Sequence, residues 1–237
     1  MKTFFLSLFC FGLTAGSLHA QQIADTTFQP PILEPLFQLG DGPTVYIDAA
    51  HNNFHTADNR YRPFANLLRQ DGYQVRSFER EFSIASLDTI DILVISNAIS
   101  ERNLGRWWRP TFTAFSLDEV NALKRWVQSG GRLWVIADHM PFAGAASEIA
   151  SAFEVEFHDG FAGDTIQNGM ELFTRATNEL SNNPVTDGFR AGMKVDSIIS
   201  LTGQAMELSD RYTNVLKLGP HWISLQPDTA WQFSPST

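Results

Sequence analysis

A chain of 237 residues, 43% hydrophobic and 18% charged, has room for one ordinary domain with a core and lacks the composition of a disordered protein. Its formal charge of −9, with no basic run, argues against nucleic acid or an anionic membrane surface as partner. One cysteine, Cys10, excludes an internal disulfide.

Residues 1–20 stand apart. Lys2 supplies a positive start, Phe4 to Leu13 is mainly apolar, and Ser17-Leu18-His19-Ala20 ends on a small residue. The pattern predicts a secretory signal peptide cleaved after Ala20, and the apolar run is too short for a stable membrane span. Cleavage removes Cys10 and Lys2, so the mature chain has no thiol and its charge moves from 17 − 26 to 16 − 26. A secreted or periplasmic protein without a stable membrane span is expected.

Residues 21–43, with Pro30, Pro31 and Pro35, read as an irregular lead-in, and 44–237 as one domain. Thr44 to Ala49 is the first strand. Asp58-Asn59 precede a helix that tolerates Pro63 in its first turn and closes at Gly72. Tyr73 to Phe78 and Asp91 to Ser96 are the next strands, followed by a loop from Glu101 to Phe115 that carries Trp107 and Trp108. Ser116 and Glu119 form a capping box at the start of a helix that Gly130-Gly131 ends. A fourth strand, Leu133 to Ala137, runs into Asp138 and His139; a short helix through Phe153 and a strand at Val155 to His158 follow. Val195 to Leu201 and Thr213 to Leu218 are weaker strand candidates. Strand, helix, strand, strand, helix, strand predicts an α/β fold with a mostly parallel sheet covered on both faces.

The segments DAAHNNFHT (48–56), GGRLWVIADHMPFAGAA (130–146) and Leu201-Thr202-Gly203-Gln204 together resemble an uncharacterised family within the class I glutamine amidotransferase-like superfamily. The resemblance spans about Thr44 to Leu218 and implies a flavodoxin-like three-layer α/β/α sandwich. Amidase members of that superfamily place a cysteine just after the strand that matches Leu133 to Ala137. Here Asp138 and His139 stand there, so cysteine-amidase chemistry is not implied.

In a doubly wound sheet of order 2-1-3-4, Asp48, His51, Asn52 and His55 share a rim with Asn97, Asp138 and His139. Imidazoles and carboxylates at that density suit general acid/base work or a divalent metal, with Asp48, His51 and His139 as the ligand set. Asp48, His51, Asp138 and His139 are the catalytic candidates; Asn52, His55, Asn97 and Gly144 are the ligand-binding ones. Each has a plainer alternative. Asp48 can bond backbone amides at a strand end, Asp138-His139 can be a structural pair, and His55 and Asn53 can be loop polarity. Gly144 starts a helix where an anion could approach, or serves close packing. Trp107 and Trp108 can wall a flat ligand or simply pack. His158 and His221 read as structural. No Gly-x-Ser-x-Gly elbow and no phosphate-binding glycine loop with lysine is present.

The density of imidazoles favours an exported hydrolase activating water with or without a metal, and without a cysteine or serine nucleophile; the alternative is a non-catalytic module binding a small polar ligand or glycan. Asp228 to Thr237 reads as a polar loop, and no amphipathic run follows Leu218. The resembled family continues with a further strand and helix, so truncation of the domain at its C-terminus is expected.

Overall fold

In this computed structural model the protein is described over residues 23–230, except 28, 30, 167–170 and 189–191. The expected signal peptide, Cys10 and residues 231–237 of the expected terminal loop lie outside the described residues.

Four short apolar segments make the central sheet: β1 (Thr44–Asp48), β2 (Gln74–Phe78), β3 (Ile92–Ser96) and β4 (Arg132–Ile136). All pairings are parallel, in the order β2-β1-β3-β4. Successive side chains on a strand alternate between faces. Val45, Ile47, Val75 and Val94 therefore meet α1 (Arg62–Gln70) through Phe64 and Leu68. Tyr46, Phe78, Leu93, Ile95, Leu133 and Val135 point the other way. There they meet Leu87 of α2 (Ile84–Leu87) and Val120, Leu123 and Trp126 of α3 (Leu117–Gln128). Ser116 caps α3 with the reciprocal Glu119 bond that the sequence predicts.

The second half departs from expectation. After β4 come α4 (Phe142–Ala145) and α5 (Ser147–Ala152), too short to carry the chain back for another parallel strand. Instead β5 (Val155–Phe157), β6 (Phe161–Asp164) and β7 (Glu171–Thr174) precede α6 (Pro184–Asp187), and β8 (Ser197–Ser200), β9 (Met206–Leu208) and β10 (Trp222–Leu225) follow it. They pair antiparallel as β5-β9, β6-β10 and β7-β8, three two-stranded sheets. The flavodoxin-like three-layer sandwich is thus corrected to a mixed α/β fold. Its α1 side is only partly covered: Trp134 of β4 is 52% exposed.

Of the weaker strand candidates, Val195 to Leu201 contains β8, while Thr213 to Leu218 holds only an isolated bridge, Leu180 to Leu216. Among the described residues no helix is long and apolar enough to cross a membrane.

Candidate functional site

The rim residues fall into two groups, and pleat parity decides which residue joins which. Asp48 continues the Tyr46 face of β1 and turns toward α3. Ser96 continues the Ile92 and Val94 face of β3, and Asp138 the Trp134 and Ile136 face of β4, toward α1.

The first group is closed. Asp48 is fully buried and His51 is 7% exposed. The His51 Nδ1–H donates to both Asp48 oxygens, at 3.0 and 2.9 Å, and Nε2–H donates to Glu119 Oε1 at 2.8 Å. Two carboxylates facing one ring require a hydrogen on each nitrogen, which is the imidazolium form. Burial works against that charge, but the bonds to Asp48 and then Glu119 outweigh it and hold the His51 pKa above 6.5. Glu119 is pulled below the usual carboxylate value. Burial alone would raise it, and the bonds from Ser116, His51 and Phe82 reverse that. Its Oε2 accepts from Ser116 N and Oγ at 2.9 and 2.8 Å, and Oε1 also accepts from Phe82 N at 3.1 Å. Asp48 in turn accepts from Ala50 N at 3.1 Å and Asn53 Nδ2 at 2.9 Å. The rings of Phe82 and Phe115 pack against the imidazole, with centroids at 4.5 and 4.7 Å.

His51 therefore has no lone pair to offer a metal, and His139, the other imidazole expected in that ligand set, belongs to the second group. Among the described residues no three histidine, cysteine, aspartate or glutamate side chains converge as a metal site. Glu119 is the member that sequence reasoning missed. The capping box accounted for it, and nothing in the sequence ties it to a histidine 68 positions away.

The second group is more open. Asn97, with φ of 47°, donates from Nδ2 to Asp138 Oδ2 at 2.8 Å and accepts from Asp138 N at 3.1 Å. That reciprocal pair locks the ends of β3 and β4 together. Asp138 Oδ1 accepts from His139 N at 2.8 Å. His139 Nδ1 donates to Met140 O at 2.6 Å, and its Nε2 faces Asp138 Oδ1 at 4.0 Å. His139 stacks on Phe161 at 4.8 Å. His55 Nδ1 lies 3.2 Å from Ser96 Oγ, and its ring stacks on Tyr61 at 4.6 Å. Burial lowers the His55 pKa; Asp138 opposes this and Arg60 adds to it.

Beside this group lies a cleft of about 400 Å³ lined by Asn52, Phe54, Asn59, Arg60, Trp107 and Phe142, among others. Phe54, Trp107 and Phe142 pack with centroids 5.2 to 5.9 Å apart. The Arg60 guanidinium sits 3.8 Å over the Phe54 ring, and its Nε is buried without a partner. No family model matches the chain, and no curated protein matches it. Among solved structures it is similar to one described as "mmIFT52 N-terminal domain". The two share 12% identity with a TM-score of 0.56, over 76% of this chain and 74% of that one. That likeness is one of fold.

The remaining candidates separate. Asn52, with φ of 50°, lines the cleft and is exposed. Gly144 lies in another cleft, of about 500 Å³, with Arg109, Thr111 and Asp159. Its N–H is already taken by Asp159 Oδ1 at 3.0 Å, so an internal carboxylate occupies the place expected for a ligand anion. Trp107 packs into the aromatic cluster, whereas Trp108 is 45% exposed. His158 bonds Ser224 Oγ at 2.8 Å, and His221 lies 3.4 Å from Asp164 and 3.6 Å from Glu179.

Proposed function

We propose that this chain is an exported, non-catalytic module that binds a small polar ligand, a glycan first of all, in the cleft between Asn52, Phe54, Arg60 and Trp107. One observation carries the choice over water-activating chemistry. The imidazole with the most site-like surroundings, His51, has both nitrogens bonded to carboxylates inside the core. The neighbouring cleft has the size and mixed lining of a small-ligand site, apolar walls with a few convergent polar groups. Aromatic faces suit the apolar faces of sugar rings, and Arg60 with Asn52 and Asn59 supplies donors for hydroxyl or carboxylate oxygens. Export rests on residues 1–20 and fits an extracellular or periplasmic ligand. The superfamily resemblance adds no activity, because no cysteine follows β4.

The test is titration calorimetry of the purified chain against neutral and acidic oligosaccharides. Arg60→Gln and Asn52→Gly should each weaken binding roughly tenfold or more while leaving the unfolding midpoint close to wild type. Asn52→Gly keeps a residue at ease with positive φ. Unchanged affinity in both variants would remove the cleft from consideration.

A second reading rests on His139. Its Nδ1 is held by Met140 O and its Nε2 faces Asp138, the placement a hydrolytic general base would use when the ring is neutral. Turnover on a hydrolase panel, abolished by His139→Gln with the fold intact, would favour that reading over pure binding.

A further inference from the structure

β4 ends the sheet with an open edge. Arg132 N–H donates to Asp91 O, and Ile136 O accepts from Asn97 N, so the backbone groups of Arg132, Trp134 and Ile136 point toward β3. Those of Leu133 and Val135 must point away, because successive residues of a strand alternate in direction. Among the described residues no strand lies alongside that edge. Gln204 Nε2 reaches Ala137 O, one position beyond the strand, at 3.4 Å.

Natural sheets protect such edges with lysines, prolines, bulges or a covering element. Between Leu133 and Ile136 this strand has no lysine or proline, and among the described residues no other strand pairs with its outer edge: it reads Leu-Trp-Val-Ile. Trp134 is half exposed on one face, and Leu133 and Val135 are only partly buried on the other.

We propose that a second copy of this chain pairs with β4, antiparallel, with the two-fold axis passing between the two Trp134 residues. Of the two-fold registers, this one pairs the strand's two outward residues with each other and needs neither Gly131 N, bonded to Trp126 O, nor Ala137 O, bonded by Gln204. Leu133 of each copy then faces Val135 of the other as a hydrogen-bonded pair exchanging both N–H···O bonds, which satisfies every outward group on both strands. Trp134 faces its symmetry mate as a non-hydrogen-bonded pair, the arrangement that brings side chains closest. Leu133 meets Val135 on the opposite face, so both surfaces of the junction are apolar. The result is one continuous sheet, β2-β1-β3-β4-β4-β3-β1-β2. The side chains along this edge are apolar, and an isologous contact closes on itself without propagating into fibres.

Sedimentation equilibrium of the full chain should show a reversible dimer. Trp134→Lys puts two like charges face to face on the axis and should weaken the dimer by roughly tenfold or more. Circular dichroism should remain native, since the replaced side chain is half exposed. The register is read by cross-linking in a Cys10→Ser background. Trp134→Cys brings its two thiols to a non-hydrogen-bonded pair with Cα atoms about 4.5 Å apart, within bridging distance, and should form a covalent dimer under mild oxidation. Arg132→Cys, opposite Ile136 in this register, should not. A chain that stays monomeric at millimolar concentration would overturn the proposal. So would equal cross-linking at both positions, or a dimer that Trp134→Lys leaves unchanged.

Discussion

At the residue scale, His51 behaves as a structural cation. Removing its ring as His51→Ala leaves Asp48 and Glu119 buried without their shared counter-charge, which should cost about 3–5 kcal/mol of stability. The pH dependence has a definite sign. The folded pKa lies above 6.5, so the stabilisation from His51 is complete below pH 6.5 and is lost as pH rises through the raised folded value. His55 runs the other way: its lowered folded pKa makes its contribution complete above pH 6.5 and lost as pH falls through the folded value. Urea unfolding should therefore show wild type and His51→Ala converging as the solution becomes alkaline. A gap that widened there would refute the imidazolium assignment. The sequence displays Asp48, His51, Asp138 and His139 as four polar residues after two strands, and that much was legible. Their division was legible only in part. Asp48 and Asp138 sit at opposite pleat parity, because the first is the last residue of β1 and the second lies two beyond the end of β4. That offset depends on strand ends and register, which composition and periodicity do not fix.

At the element scale, the central strands could be read because each is a short apolar run bounded by glycine or polar residues. The helix α3 could be read because its capping box and terminal glycines bracket an apolar period. The antiparallel strands β6, β7, β9 and β10 escaped because they span three or four residues each, as in FAGD and MEL, too short for alternation to register. Their close packing is set by contacts that no local pattern shows. Gly144 is one such contact: a Cβ there would lie 2.6 Å from Asp159 Cγ and 2.6 Å from Thr111 Cγ2. Asp159 cannot retreat freely, because it accepts the Gly144 N–H and lies 3.5 Å from Arg109 Nη1. Gly144→Ala should cost about 1–3 kcal/mol, visible as a lower urea midpoint with an unchanged slope. An unshifted midpoint would mean that α4 and the Asp159 loop can part without loss.

At the scale of the whole molecule, net charge decides how readily the β4 edge can be used. Each copy carries a formal charge of −9, or 16 − 26 without residues 1–20, so two copies approaching edge to edge repel over the whole of their surfaces. The junction itself is nearly uncharged, with Arg132 flanking Leu133 to Ile136, so salt has no strong attractive ion pair there to weaken. Added salt shortens the Debye length from about 30 Å at 0.01 M to about 8 Å at 0.15 M, which removes most of the long-range repulsion. Self-association should therefore tighten as sodium chloride rises from about 10 to about 150 mM, and level off once the repulsion is screened. A contact held by opposite charges would weaken over the same range. Sedimentation equilibrium across that series separates the two, and Trp134→Lys supplies the internal control. Two copies of that variant place like charges on the axis, so its residual association should depend on salt more steeply than that of the wild type. A dimer that loosened with salt would place the contact on charged surface elsewhere, away from the apolar edge of β4.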